Sequence, residues 1–450
     1  MSSNRWICWA AAILCGAALV AKPENAFAVP SYARQTGLPC SSCHTTLPEL
    51  TPLGRLFKLN GYTFIGVAEI TEKGGPTKAG LNLDTWLPLS AFFQTSFTAT
   101  GKPQPGSQNG SFEFPQSASL FLAGAFSTHA GSFIQLTYNT QANHFGWDNT
   151  DLRYANRTKL RGKELIYGLT FNNNPTVEDV WNDTPAWGFP WVAPDSTPRP
   201  AAASVIDGRL AQDVVGLGGY ALWDGHLYGD VTMYRTEHLG GLQPTNGSGF
   251  AFNIRGVAPY WRVAWQQTRG NNYFEVGTYG MRLNSTPGNI VGLKDRYTDV
   301  AADLQYERIL PTLGNDLFVV HSTYIHESSD LNNTFNAGAA AFVPHKLNTF
   351  RVDGVYHFGN KYAATLGGFS TTGTTDNLLF APAAVSGSAS GDPKSSGYTV
   401  NGSYWPVQNI QVALQYTGYF KYNGAGTNYD GAGRNASNNN SIYALVWFIF

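Results

Sequence analysis

Residues 409–421 decide the fold, and they run Asn409-Ile410-Gln411-Val412-Ala413-Leu414-Gln415-Tyr416-Thr417-Gly418-Tyr419-Phe420-Lys421. Large apolar side chains occupy alternate positions, with glutamine, alanine or threonine between them. Because successive side chains of a strand point to opposite faces, this period predicts a strand with one apolar and one polar face. The same period recurs at 163–172, 254–268 and 296–309. Repeated in this way, it fits a membrane barrel with a wet lumen, and it also fits a soluble sandwich.

The connections between the predicted strands separate these two folds. Links after even-numbered strands are short, whereas links after odd-numbered strands are long, as in outer-membrane barrels. We therefore predict an all-β fold, an antiparallel outer-membrane β-barrel of about 16 strands over residues 81–450, with a small N-terminal α-helical plug. The predicted strands are 86–99, 112–126, 131–141, 150–159, 163–172, 212–222, 226–236, 254–268, 271–283, 296–309, 315–327, 346–358, 361–371, 396–405, 409–421 and 438–450.

The composition is that of a strand-rich, weakly charged chain. Of its 450 residues only 13% are charged and 14% are aromatic, with 49 glycines and a net charge of −1. About 25% charged residues is usual in soluble domains. The charge balance gives no indication of a nucleic-acid partner, whereas the predicted barrel implies outer-membrane lipid as a partner.

Residues 1–28 have the pattern of a secretory signal peptide. Arg5 precedes an apolar run from Ile7 to Val20, and Ala26-Phe27-Ala28 forms a small-residue cleavage site. An uncleaved anchor is the alternative, but the run is shorter than the ~20 residues that span a bilayer. A lipid anchor at Cys15 is less favoured because bulky Leu14 precedes it. Export would deliver the chain to the periplasm.

The pentapeptide Cys40-Ser41-Ser42-Cys43-His44 matches the c-type haem attachment motif. Two thiols would form thioether bonds to the haem vinyl groups, and the adjacent histidine would ligate the iron. A chance spacing, a disulfide or half of a zinc site are the alternatives. Residues 45–128 contain no further cysteine or histidine for a zinc site. We predict one covalently bound c-type haem, with Cys40 and Cys43 as attachment points and His44 as proximal ligand.

Residues 29–80 form the predicted monohaem cytochrome c plug. Thr51 and Pro52 begin a helix as N-cap and first helical residue, and Asn60-Gly61 ends it. Leu53, Leu56 and Phe57 share a face that we expect to cover the porphyrin. Arg55 and Lys58 are candidates to bind the haem propionates, or they are solvated helix charges.

The plug brings no second axial ligand of its own, so the iron is five-coordinate or its sixth ligand comes from the barrel. Met281 and His321 are the candidates because the alternation places both on the lumen face; each could instead be an ordinary lumen residue. Met233 is predicted to face lipid, and His357 to face inward near the periplasmic end.

Charged side chains are predicted to line the lumen as a solvated wall, namely Asp299, Asp303, Glu307, Arg153, Arg157, Arg262 and Arg351. The long loop between Asn173 and Ala211 is expected to fold over the barrel mouth. It opens with Thr176-Val177-Glu178-Asp179, a helix-capping pattern. Glu178, Asp179 and Asp183 offer a weak indication of oxygen ligands for a hard cation.

Two stretches carry a family resemblance. Ala28-Val29-Pro30-Ser31-Tyr32-Ala33-Arg34-Gln35-Thr36-Gly37-Leu38-Pro39-Cys40-Ser41-Ser42-Cys43-His44 and Pro48-Glu49-Leu50-Thr51-Pro52-Leu53-Gly54-Arg55-Leu56-Phe57-Lys58-Leu59-Asn60-Gly61-Tyr62 resemble the fused monohaem cytochrome–porins of iron-oxidising bacteria. The resemblance implies an iron(II):cytochrome c oxidoreductase. Extracellular Fe²⁺ would be the donor, and a periplasmic c-type cytochrome or other electron carrier the acceptor. The alternatives are a conduit for another extracellular donor or acceptor, and a diffusion porin with a haem-bearing plug.

Overall fold

The computed structural model describes residues 30–46, 48–64, 71–73, 82–84, 87–140, 143–181, 193–211, 213–236, 253–286 and 292–450. The predicted signal peptide lies outside these residues. A two-stranded sheet, β1 (Thr71–Lys73) with β2 (Asn82–Asp84), precedes a closed barrel. The barrel strands are β3 Leu89–Thr100, β4 Ser111–Ser127, β5 Ala130–Asn139, β6 His144–Leu160, β7 Lys163–Asn172, β8 Val214–Trp223, β9 Leu227–Thr236, β10 Ala258–Arg269, β11 Asn272–Ser285, β12 Asp295–Leu310, β13 Asp316–Leu331, β14 Pro344–Phe358, β15 Tyr362–Gly373, β16 Ser395–Val407, β17 Ile410–Lys421 and β18 Ser441–Ile449.

The sixteen strands pair in chain order, each antiparallel to the next, and β18 pairs with β3 to close the barrel. The predicted barrel and its strand number are confirmed. Several bounds differ: β6 begins at His144 where 150 was predicted, and β13 reaches Leu331 where 327 was predicted. Apolar alternation marks only the stretch of a strand that faces lipid. It therefore misses the polar end of β13. In β6 a register shift in the pairing with β5 interrupts the alternation before residue 150.

Burial along the strands is inverted relative to a soluble protein. On β17, Gln411 and Gln415 are each 2% exposed, whereas Leu414 is 57% exposed. Leu169 and Leu366 are likewise exposed on the outer wall, and so is Met233, as predicted. A sandwich would bury the apolar face between its sheets. An outward apolar face around a polar interior is the arrangement of a membrane barrel, and this rules out the sandwich. Among the described residues, no helix is long and apolar enough to cross a membrane.

Tight turns join the strands at the short-linked end. Arg161-Gly162 and Asp224-Gly225 both have positive φ at each residue, between 53° and 79°. Two successive left-handed residues make the type I′ turn, whose twist matches that of the flanking strands. Bacterial outer-membrane barrels have their short turns on the periplasmic side, so we refer to this end as the periplasmic end.

The N-terminal segment consists of helices α1 (Pro30–Thr36), α2 (Cys40–Cys43) and α3 (Pro52–Leu59), which lie against the inner wall. The Tyr32 hydroxyl donates to Ser132 O at 2.7 Å, and the Tyr62 hydroxyl donates to Asp151 at 2.7 Å. The Tyr220 hydroxyl donates to Leu59 O at 2.8 Å. This segment, residues 30–64, is the plug, and strands β5, β6 and β8 hold it.

The predicted limits of the plug helix are confirmed. Gly54 N donates to the Thr51 hydroxyl at 3.2 Å, so Thr51 is the N-cap. Asn60 ends the helix, and Gly61 follows with φ of 74°. Two further short helices are α4 (Pro175–Glu178) and α5 (Asn332–Asn336), with 3₁₀ turns at Pro311–Leu313 and Ala436–Asn439.

The long connection between β7 and β8 enters the lumen rather than only covering the mouth. Asp179 O accepts a hydrogen bond from Lys58 at 2.9 Å, and Trp181 Nε1 donates to the Tyr273 hydroxyl at 2.7 Å. Farther along, Asp207 pairs with Arg351 at 2.5 Å. Buried charges need partners, and this loop supplies them to the plug and to the far wall.

Candidate haem-binding site

The haem motif forms a single helical turn. His44 N donates to Cys40 O at 2.8 Å, which closes the turn and places both cysteines on one side of α2. Cys40 N donates to Gln408 Oε1 at 3.0 Å, so the turn is attached to the barrel wall. Both thiols are free, and desolvation by partial burial raises the pKa of each to about 11.

His44 is oriented through one ring nitrogen. Its Nδ1 lies 3.2 Å from Glu49 O and donates to it, which leaves Nε2 as the nitrogen that can ligate iron. Burial lowers the pKa of His44 and favours the neutral imidazole, the form that ligates metals. A histidine held in this way has the tautomer and orientation that a proximal ligand requires.

Helix α3 packs directly on the motif at a glycine. A Cβ on Gly54 would lie 2.3 Å from Cys43 O and 3.1 Å from Cys43 C. Thr51 reinforces the contact, since its hydroxyl donates to Ser42 O at 2.6 Å and its N–H donates to Cys43 O at 2.9 Å. The close approach fixes the cysteines relative to the helix, and only glycine permits it.

A cavity of about 450 Å³ opens beside the motif, within the range of small-molecule and cofactor sites. Cys40, Cys43 and His44 are among its lining residues. Aromatic side chains of the plug and the wall supply much of the rest, namely Tyr32, Phe57, Tyr62, Phe92, Phe121, Phe133 and Trp447. At the loop end the lining becomes polar, with Asp148, Asp195 and Arg199. Two thiols, one oriented imidazole and aromatic walls fit a covalently attached haem.

A second cavity, of about 550 Å³, lies on the periplasmic side of the motif. Cys40 and His44 line it as well, together with residues of the periplasmic turns such as Asn271, Asn315 and Gln408. The motif therefore lies between two cavities, one reaching the long loop and one reaching the periplasmic turns.

The face of α3 that lines the first cavity differs from the predicted one. Gly54, Phe57 and Lys58 line it, whereas Leu53 is 36% exposed and Leu56 packs against an apolar cluster of the wall. Of the three residues predicted to share the porphyrin face, Phe57 lines the cavity, whereas Leu53 and Leu56 do not.

Arg55 and Lys58, the predicted propionate partners, both have protein partners. Arg55 pairs with Glu307 at 2.7 Å, donates to Leu50 O at 2.7 Å and lies 4.3 Å over the Tyr273 ring. The Lys58 ammonium donates to Val177 O and Asp179 O. Desolvation by burial lowers the Lys58 pKa to about 8. Of the two, Lys58 lines the first cavity.

The two predicted distal ligands lie elsewhere in the lumen. Met281 is 3% exposed, within an apolar cluster that includes Val205 and Ile206 of the long loop. His321 lies between Glu49 and Asp353, at 2.9 and 3.0 Å. Among the described residues that line the first cavity, His44 is the single histidine and no methionine occurs. His357 faces inward, as predicted, and lines the second cavity.

The carboxylates that suggested a hard-cation site have protein partners. Glu178 accepts from the hydroxyls of Thr232 and Tyr234, each at 2.5 Å, and Asp179 faces Arg262 at 3.5 Å. Asp183 lies outside the described residues. Within the part of the chain that the structure describes, no group of three or more His, Cys, Asp and Glu could hold a metal ion.

The predicted lumen charges are largely paired rather than solvated. Arg262 reaches Glu275 at 3.2 Å and Asp303 at 2.5 Å, and Arg153 pairs with Asp151 at 2.6 Å. Asp299 accepts from Ile206 N of the loop at 2.8 Å. Arg157 pairs with Glu164 at 3.1 Å near the periplasmic turn, where it is partly exposed.

Sequence reasoning missed Glu49, Gly54 and Asp353 as parts of the site. Glu49 and Gly54 lie in the stretch that carries the family resemblance, which is the one signal that could have drawn attention to them. Asp353 lies on an ordinary alternating strand, where only the three-dimensional structure identifies its partner.

No sequence family matches the chain, and no curated protein matches it. Solved structures with a similar arrangement include outer-membrane proteins. OmpF of Salmonella typhi in complex with daunomycin has 12% identity and a TM-score of 0.48, over 84% of this chain and 100% of that one. The outer membrane channel DcaP of Acinetobacter baumannii has 11% identity and a TM-score of 0.47, over 84% of this chain and 100% of that one. An anion-selective porin of Comamonas acidovorans has 12% identity and a TM-score of 0.45, over 80% of this chain and 98% of that one.

The strand pairing and inverted burial of this chain define its class. It is a porin-like barrel of sixteen antiparallel strands whose lumen contains a small helical plug.

Proposed function

We propose that this protein is an outer-membrane electron conduit. It takes one electron at a time from extracellular Fe²⁺ on a single c-type haem and delivers it to a periplasmic carrier, a c-type cytochrome or another carrier. The observation that carries the proposal is the aromatic cavity beside Cys40, Cys43 and His44, enclosed by plug, barrel wall and long loop. The resemblance of residues 28–62 to monohaem cytochrome–porins supports iron as the donor.

The residues of the chain have separate tasks in this proposal. Cys40 and Cys43 would attach the haem, and His44 Nε2 would ligate its iron while Nδ1 is held by Glu49 O. The bound haem would supply one-electron redox chemistry. Phe57, with the other aromatic side chains of the cavity, would exclude water from the porphyrin faces.

The two cavities support exchange with both sides of the membrane. The first ends at Ala193, Asp195 and Arg199 of the long loop, on the side where outer-membrane barrels face the medium. The second ends at the periplasmic turns. The plug precedes the first barrel strand and so enters from the periplasm. A haem at the motif would be approached by the extracellular donor through the loop and by the carrier through the turns.

Anaerobic mixing of Fe²⁺ with the purified, oxidised, haem-loaded protein tests the proposal. We expect the absorption bands of ferrous haem to appear on mixing. Dithionite serves as the positive control, and His44→Ala as the variant that lacks the proposed ligand. If dithionite produces the bands and Fe²⁺ does not, iron is not the donor, and reduced organic donors are tested next in the same assay.

Planar-bilayer conductance separates the conduit from a diffusion porin. Lys58 and Arg351 each join the long loop to another part of the lumen. We therefore expect the haem-loaded protein to carry little current. A sustained ion current comparable to that of an open porin would contradict a lumen closed by plug and loop.

A further inference from the structure

His321 lies on the inner face of β13 between two carboxylates. Its Nε2 is 2.9 Å from Glu49 Oε1, and its Nδ1 is 3.0 Å from Asp353 Oδ2. All three side chains are almost fully buried, with exposures of 6%, 2% and 6% for His321, Glu49 and Asp353. Each ring nitrogen thus faces a carboxylate oxygen, an arrangement that favours the doubly protonated imidazolium form of the ring.

The two carboxylates come from different parts of the molecule. Asp353 is the register partner of His321 on the adjacent strand β14, so barrel pairing alone brings these two together. Glu49 belongs to the plug, between α2 and α3. A buried charge is costly without a partner of opposite sign. The imidazolium therefore holds the plug carboxylate at one fixed point of the wall.

Glu49 in turn holds the proposed haem ligand. Its carbonyl oxygen accepts the Nδ1 hydrogen of His44 at 3.2 Å. Thr45, the next residue, donates from its hydroxyl to Glu49 Oε2 at 2.5 Å and from its backbone N–H to Glu49 O at 3.3 Å. A displacement of the Glu49 side chain would thus move the carbonyl that orients the His44 ring.

We infer that His321, oriented by Asp353, is a positioning residue for His44 and sets the electrostatic environment of the haem iron from the barrel wall. The inference rests on haem attachment at Cys40 and Cys43, part of the proposed function, and not on iron as the donor. Outer-shell partners of metal-bound histidines fix ring orientation and ligand basicity. In this protein the outer-shell partners of His44 include Glu49 of the plug and, through it, His321 and Asp353 of the barrel.

The charges give the inference a sign. The Glu49 carboxylate is a negative charge on the residue whose backbone carbonyl accepts the His44 hydrogen. His321 is the positive charge that faces this carboxylate, and it also faces Asp353. Nearby negative charge disfavours addition of an electron to the haem. Loss of the imidazolium therefore lowers the reduction potential, and loss of the Glu49 carboxylate raises it. If these residues only held the structure together, the two substitutions would not be expected to shift the reduction potential in opposite directions.

Spectroelectrochemical titration of the haem-loaded full chain tests this with His321→Gln, Glu49→Gln and the double variant. We expect a downward shift in the midpoint potential for His321→Gln and an upward shift for Glu49→Gln. The double variant should lie closer to wild type than either single variant. His345→Gln is the matched control, because His345 forms a buried pair with Asp376 at 2.9 Å, and neither residue is hydrogen-bonded to a described residue of the plug.

The outcomes are separable. Unchanged potentials in both single variants, or shifts in the same direction, overturn the inference while the haem remains attached. An equal shift in His345→Gln also overturns it, because any buried pair of the barrel would then have the effect. Absence of covalent haem from the wild-type protein overturns this inference and the proposed cofactor together. Opposite shifts in a protein that Fe²⁺ fails to reduce support the inference and reject only the donor. Glu49→Gln leaves the barrel strands untouched, so it decides the sign even if His321→Gln does not assemble.

Discussion

Replacement of Gly54 by alanine should weaken the plug, although alanine is the better helix former. Intrinsic propensity alone favours alanine over glycine inside a helix by about 1 kcal/mol. The new methyl group, however, would come too close to the haem motif, and this contact opposes the gain in helix propensity. The added Cβ would lie 2.3 Å from Cys43 O, whereas favourable carbon contacts begin near ~3.5 Å. The helix and the motif must therefore separate by about 1 Å.

The carbonyl cannot turn away at little cost, because Cys43 O already accepts the Thr51 N–H at 2.9 Å. Overpacking of this kind costs about 1–3 kcal/mol, which outweighs the propensity gain. We expect a net loss of up to about 2 kcal/mol in plug stability. The separation should also displace the cysteines from the position that suits haem attachment.

The assay is a urea titration of the haem-loaded protein in detergent, in which visible absorbance reports the plug and far-ultraviolet circular dichroism reports the barrel. Covalent haem content is measured alongside. Leu53→Ala is the matched control on the same helix, since Leu53 is 36% exposed. It should change stability by only about 0.5 kcal/mol. A Gly54→Ala protein with wild-type haem content and a plug as stable as wild type would refute the proposed packing of α3 on the motif.

Two further perturbations act on the contacts between plug and lumen. Arg55→Met leaves Glu307 buried without its partner at 2.7 Å. It should destabilise the plug by about 3–5 kcal/mol in the same urea titration, and adding Glu307→Gln should recover most of this loss; failure to recover would mean that the ion pair is not the cause. Lys58 has a pKa of about 8 in the folded protein against 10.5 for the free side chain. The unfolded state thus binds more protons between these values, and plug stability should rise with pH across that window. Lys58→Met should remove the rise; a flat wild-type profile would contradict burial of the ammonium.

The barrel was predictable because its signals are local. Alternation at residues 409–421 and the contrast of short turns with long loops are properties of short stretches, and each depends only on which face meets lipid. The strand ends were not predictable in this way. In β6 the outward residues Phe145 and Trp147 keep the apolar face, but a register shift in the pairing with β5, between Ile134 and Leu136, interrupts the alternation before residue 150.

Only those parts of the site that are formed by residues close together in the sequence could be predicted. The haem motif and the limits of α3, from Thr51 to Asn60, follow from residues within a few positions of one another. The face of α3 that meets the motif did not follow, because a helical wheel ranks faces by apolarity and gives a glycine no weight. The partner of His321 also did not follow, since alternation gives the inward direction of a side chain but not what it meets.

Ion pairs join the plug to the polar interior of the barrel. Strands β12 to β14 point Glu307, His321 and Asp353 into the lumen, where these three residues are almost fully buried. Each unpaired charge there is costly. Arg55 of the plug supplies the charge opposite to Glu307, and Glu49 of the plug faces His321, which also pairs with Asp353 of the wall. The same contacts orient His44 through Glu49. With haem attached as proposed, the ion pairs between plug and wall would also surround the haem, so changes in the wall should be detected at the haem.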